Sequence, residues 1–170
     1  MSVTMASSYE KVMNSGDFIV SKTDTKGNIT YCNEIFMDMS GMTEKELLGR
    51  PHNIVRHPDT PRAVFQLLWN KVQNKEEIFA YVKNSASDGG YYWVYANVTP
   101  SYDQSGNTIG YYSVRIKPND NALSIIKPIY KKMTELESSS GIDASMSYLT
   151  NLLEEKGVSY DEFIIAIQNS

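Results

Sequence analysis

Gly49-Arg50-Pro51-His52-Asn53-Ile54-Val55-Arg56-His57-Pro58-Asp59-Thr60-Pro61 is the most chemically crowded stretch of the chain. From His52 on it holds both histidines of the protein, Arg56, Asp59 and two prolines. It connects two helical patterns, a place where a segment can line a pocket. A metal site needs converging ligands, but His52 and His57 stand five apart with no HxxxH pair, and a lone Cys32 excludes a cysteine-built site. Hydrolysis needs an oriented nucleophile, and no GxSxG occurs, so an enzyme is not expected. Two readings stay open. In the plain one, Asp59 or Thr60 caps the next helix and Arg56 forms an ordinary ion pair. In the other, the stretch is a clamp. Arg56 offers a planar fork of donors to phosphate, His57 adds a donor, and Asp59 orients Arg56 or accepts from a ribose hydroxyl.

Other residues suit a ring system that such a clamp would hold. Trp69, ten residues beyond Asp59, and Tyr92 present flat faces. Asn33 and Asn84 each offer a donor and an acceptor for the edge of a heterocycle. The set suits a dinucleotide with an aromatic head, but no GxGxxG is present, so a Rossmann site is not the route.

Around this stretch the chain divides into a leader (1–16), a compact α+β domain (17–118) and a helical extension (119–170). In the domain, Phe18–Thr23 and Asn28–Cys32 read as strands joined by Asp24-Thr25-Lys26-Gly27. Asn33 can cap Ile35–Met39. Thr43 and Glu46 form a capping box for Glu44–Leu48, which Gly49 stops. A longer helix begins near Thr60 and Pro61, with Val64, Leu67, Leu68 and Val72 at helical spacing. Phe79–Ser85, Tyr91–Ser101 and Thr108–Lys117 follow as strands, joined at Asp88-Gly89-Gly90 and Asp103–Asn107. This order predicts a five-stranded antiparallel sheet with short helices over one face and a space beneath them. In the leader, Ser7–Met13 is expected to be helical. In the extension, a helix spans Asp120 to about Glu135, kinked at Pro128. Met146, Leu149, Leu152 and Leu153 make a stripe ending at Gly157, and Ser159 with Glu162 opens a last helix.

The chain has 170 residues, a net charge of −4 and one cysteine. The charge gives no support to nucleic-acid or anionic-membrane binding, and no intrachain disulfide can form. No apolar signal core or 18-residue apolar stretch occurs, so a cytoplasmic protein without membrane insertion is expected.

The connector, with Phe65 and Trp69 after it, closely resembles the PAS domain of bacterial aerotaxis receptors. Val82-Lys83-Asn84, Tyr92-Trp93-Val94, Asn97, Pro100, Gly110-Tyr111 and Ser113-Val114-Arg115 extend the resemblance. Ser21, Thr23-Asp24, Ile29-Thr30, Asn33, Phe36 and Ser40-Gly41 match at the front, so it spans about 17–133. It implies the PAS fold, non-covalent FAD and redox signalling in energy taxis. Arg56, His57 and Asp59 fall on that family's flavin-binding motif, and Asn33, His52, Trp69, Asn84 and Tyr92 on pocket-lining positions. Thr60 stands where the motif commonly has methionine, and Ile78 or Phe79 near a position held by tryptophan. The receptors continue into a membrane span, a linker module and a methyl-accepting domain, which this sequence lacks. It looks more like the stand-alone energy-taxis sensors. That implies a separate membrane-bound, chemoreceptor-like partner at the inner face of the membrane, with a homodimer also open. Photosensing flavin domains place a cysteine beside the ring, and here the connector has none. Haem with His52 or His57 as ligand, and a ligand-free PAS dimerisation module, remain the alternatives.

Overall fold

The structure is a computed structural model and describes residues 9–170. Five strands form one antiparallel sheet: β1 (Ile19–Thr23), β2 (Ile29–Cys32), β3 (Ile78–Ser85), β4 (Tyr91–Tyr102) and β5 (Thr108–Ile116). Their order is β2-β1-β5-β4-β3, which places the first and last strands of the domain side by side at the centre. Alternation then sorts the side chains. Ser21, Tyr111, Ser113, Arg115, Ala96, Val98, Val82 and Asn84 share one face; Lys22, Tyr112, Val114, Trp93, Tyr95 and Tyr81 share the other.

Three helices lie between β2 and β3: α1 (Glu34–Ser40), α2 (Glu44–Leu47) and α3 (Arg62–Gln73). Asn33 caps α1 by accepting from the Phe36 N–H. The Thr43/Glu46 capping box opens α2 as the sequence indicates. The start of α3 differs from expectation. Neither Asp59 nor Thr60 caps it, and Pro61 stands just outside the helix rather than in its first turn. The Thr60 hydroxyl is spent elsewhere, donating to the Lys83 carbonyl (3.0 Å) and accepting from the Lys83 N–H (2.9 Å).

The expected helix in the leader is not found in its described part. Ser7 and Ser8 lie outside the described residues, and from Tyr9 the chain is extended. Tyr9 and Lys11 hydrogen-bond Tyr91 at the start of β4, where β5 no longer reaches.

The extension folds as α4 (Asp120–Ser140), α5 (Ile142–Lys156) and α6 (Tyr160–Gln168). The first of these runs past Pro128 and five residues beyond the expected end. The extension closes the outer side and free edge of β3. Three hydroxyls each donate to a carbonyl of that edge: Tyr160 to Phe79 (2.8 Å), Tyr130 to Tyr81 (2.6 Å) and Thr60 to Lys83 (3.0 Å). An unpaired strand edge is otherwise an aggregation template, so this satisfaction matters to solubility. Among the described residues no helix is long and apolar enough to cross a membrane.

Candidate functional site

The helices stand off the inner face of the sheet and enclose a cavity of about 370 Å³. That size falls within the ~300–1,000 Å³ range of small-molecule sites. Its apolar wall comes from Phe65, Leu68, Trp69 and Val72 of α3 and from Val82, Ala96 and Val98 of the sheet. Trp69 stands edge-on to Tyr111, with ring centroids 5.4 Å apart. Gly27 permits this placement: it takes a φ of +87°, and a Cβ there would meet the indole at 3.1 Å.

The polar wall has one sign of charge. Lys26, Arg56 and Arg115 line the cavity and no aspartate or glutamate does. In a chain of net charge −4 this is a concentrated exception. Among the described residues Arg56 makes no ion pair and its buried Nε has no hydrogen-bond partner; its guanidinium lies 3.7 Å from the centre of the Phe65 ring. Desolvation lowers the Arg56 pKa from its ordinary value.

Arg115 lies deeper and is only 4% exposed. Its Nη1 donates to His52 Nε2 (2.9 Å) and Ser113 Oγ (3.2 Å), and its Nη2 to Ser21 Oγ (2.8 Å). The Ser21 hydroxyl lies 2.9 Å from the same His52 nitrogen. A guanidinium can only donate, so His52 Nε2 is an acceptor and the ring is neutral. Burial and the Arg115 charge together hold His52 down to about 3. Desolvation pulls Arg115 down to about 10, and its Nε is a further buried donor without a partner among the described residues. Burial pushes the Tyr92 phenol up to about 12, against the opposing influence of Arg115 and of Asn84 beside its hydroxyl. Buried polar groups are normally satisfied. Two guanidinium Nε donors without partners among the described residues, on side chains that line one cavity, suit it to a polar, electron-rich ligand.

Of the residues expected at the site, the fold brings His52, Arg56, Trp69 and Asn84 to the cavity wall. Asn33, His57, Asp59 and Tyr92 are not among the lining residues. Asn33 ties β1 to α1, accepting from the Val20 and Phe36 N–H groups and donating to the Phe18 carbonyl. His57 accepts from the Asp59 N–H at Nδ1 (3.0 Å), and its ring faces Tyr91. Asp59 pairs with Lys83 (2.7 Å), not with Arg56, and that hydrogen bond is the main cause of its lowered pKa. His57 and Asp59 thus brace the connector against β3, while Arg56 alone of the three turns inward. Tyr92 is buried in the inner face of β4. Sequence reasoning did not single out Arg115, Lys26 or Tyr111 as site residues. For Arg115 a signal was present: a cation two and four residues from Ser113 and Tyr111 on one strand shares their inward face.

Residues 7–118 match the PAS fold family. The chain belongs to that family. The chain is 38% identical over 124 residues to the aerotaxis receptor of Escherichia coli, covering 73% of this chain and 24% of the receptor. It is 29% identical over 96 residues to the nitrogen fixation regulatory protein of Klebsiella pneumoniae, covering 56% of this chain and 19% of that protein. The chain therefore spans about a quarter or less of the length of these relatives. Among solved structures, a PAS domain from Colwellia psychrerythraea superposes with a TM-score of 0.54 at 18% identity, over 59% of this chain and 85% of that one. A light-oxygen-voltage domain studied with a flavin analogue gives 0.57 at 20% identity, over 68% and 86%. At such identities these two establish the five-stranded fold.

Proposed function

We propose that this PAS domain binds FAD non-covalently in the cavity and reports redox state, as an energy and oxygen sensor for aerotaxis. The observation that carries this reading is that every charged side chain lining the cavity is a cation, set beside an aromatic and aliphatic wall. Arg56 and Lys26 suit the phosphates of a dinucleotide, and Trp69, Tyr111 and Asn84 suit its ring. When bound, the flavin supplies the electron-accepting chemistry. The protein's own part is to hold it, to exclude water with the aliphatic side chains of α3, and to differ in shape between its two charge states. The readout goes to a membrane-bound chemoreceptor-like partner that brings this cytoplasmic domain to the inner face of the membrane, with the domain acting alone or as a homodimer. Such a module is a sensor and not an enzyme.

The geometry favours flavin over haem. His52 Nε2 already faces Arg115 and Ser21, and His57 is not among the cavity-lining residues. A ligand-free dimerisation module leaves the buried Arg115 cation without a purpose.

An absorption spectrum of the purified full chain, before and after dithionite, tests the reading. A flavin spectrum that bleaches is expected, and Arg56→Ala removes it while the fold persists. A colourless wild type that declines added FAD, or a Soret band, overturns the proposal. Linkage adds a second measurement. Coupling of about 1–3 kcal/mol between flavin and partner corresponds to a shift of about 20–65 mV in flavin potential on partner binding.

A further inference from the structure

The Arg115 guanidinium is a charge taken out of water with no carboxylate within ion-pair distance among the described residues. Removing a charge from water costs several kcal/mol unless a counter-charge offsets it. The groups packed on it do not supply one. His52 comes from the connector, Ser21 from β1, Ser113 from β5 itself, and Phe36 of α1 places its ring 4.8 Å from the guanidinium carbon. Tyr92 of β4 is the remaining titratable neighbour. Arg56 and Lys26, both cations, line the same cavity. Every neighbour is therefore neutral or positive at neutral pH. The spare Nε–H of Arg115 completes the picture: the site holds a cation and an unused donor, and lacks an anion.

We propose that Arg115 is the charge partner of the reduced flavin ring, so that this one side chain, held by His52, Ser21 and Ser113, raises the potential at which the sensor switches. The inference rests on the flavin reading above and deepens it. A bound flavin would supply the electron-accepting chemistry: two electrons from a reductant (dithionite in the test, a low-potential electron carrier in the cell) with one proton from water would leave one negative charge, which the Arg115 guanidinium would offset. The neutral His52 imidazole donates nothing to the ring; Nε2, its nitrogen facing Arg115, is an acceptor already in use. Arg115 thus acts as a positioning and tuning residue for the bound group.

Redox titration of the full chain against reference dyes tests this. Arg115→Met lowers the reduced-to-oxidised ratio at a fixed potential at least tenfold, a fall of about 30 mV or more for a two-electron couple. Arg115→Lys, which keeps the charge, recovers most of that ratio. The wild type provides an independent measurement should the methionine variant not fold. One proton per two electrons gives a midpoint falling by about 30 mV per pH unit between pH 6 and 8, where neither His52 nor Tyr92 titrates. A slope of about 59 mV means a second proton and a neutral reduced ring, and overturns the inference. So does a yellow Arg115→Met protein with an unchanged midpoint. Either result leaves the flavin reading standing, whereas a wild type without flavin strikes that reading itself.

Discussion

The Glu137 carboxylate accepts from the backbone N–H groups of Arg62 (2.8 Å) and Ala63 (3.1 Å), so a residue of α4 caps α3 from 75 positions away. The cap ties the helix that carries Phe65 and Trp69 to the C-terminal extension. Lys71 and Asp161 make a second tie further along α3 (2.7 Å).

Replacing Glu137 with alanine leaves two N–H groups at a helix start without acceptors. A loss of about 1–3 kcal/mol is expected, read as a lower denaturation midpoint at unchanged slope. Flavin occupancy falls as well, because the aromatic wall loses its anchor. Glu137→Gln keeps one acceptor and loses less. An alanine variant as stable as the wild type contradicts the capping role.

His52 makes stability depend on pH. Its folded pKa of about 3 lies below the ordinary 6.5, so the unfolded chain binds the extra proton. Stability is full above pH 6.5 and declines as pH falls towards 3. At pH 5 the loss is about 2 kcal/mol. His52→Gln removes that part of the acid sensitivity, and unfolding series at pH 7.5 and 5 measure it. Equal slopes in both proteins would show that His52 titrates normally.

Arg56→Ala and Asp59→Ala separate the two halves of the connector. The first abolishes flavin retention, because Arg56 is the member of the motif that lines the cavity. The second frees Lys83 and loosens the turn, so it weakens retention without abolishing it. FAD fluorescence titration ranks them, and equal loss in both argues that Asp59 touches the ligand directly.

Gly110→Ala would drive a Cβ into the Thr23 carbonyl between β5 and β1. A cost of about 3 kcal/mol is expected. A thermal melt checks it, and an unshifted midpoint refutes this close approach of the two strands.

Local signals carried most of the fold. The Asp-Gly turns and the two capping boxes, Thr43 with Glu46 and Ser159 with Glu162, are written in adjacent residues and appear where expected. What escaped is non-local. Nothing near Pro61 announces that Glu137 will cap α3, and nothing near Thr60 announces that its hydroxyl will serve Lys83. The site divides the same way. The connector was recognisable as polar and unusual, but which of its side chains turn inward depends on its seating against β3. That seating directs Arg56 to the cavity and leaves His57 and Asp59 outside its lining. Arg115 needed the sheet as well, since its lack of a counter-charge exists only once five strands and a helix surround it.

The hydroxyls of Thr60, Tyr130 and Tyr160 occupy three outward carbonyls of β3 and so withdraw one rim of the sheet from association by strand addition. The opposite rim is taken up in part as well, since the Ile29 backbone of β2 bonds Gly49 and Arg50, so a companion chain must approach over a face and recognise side chains before main chain.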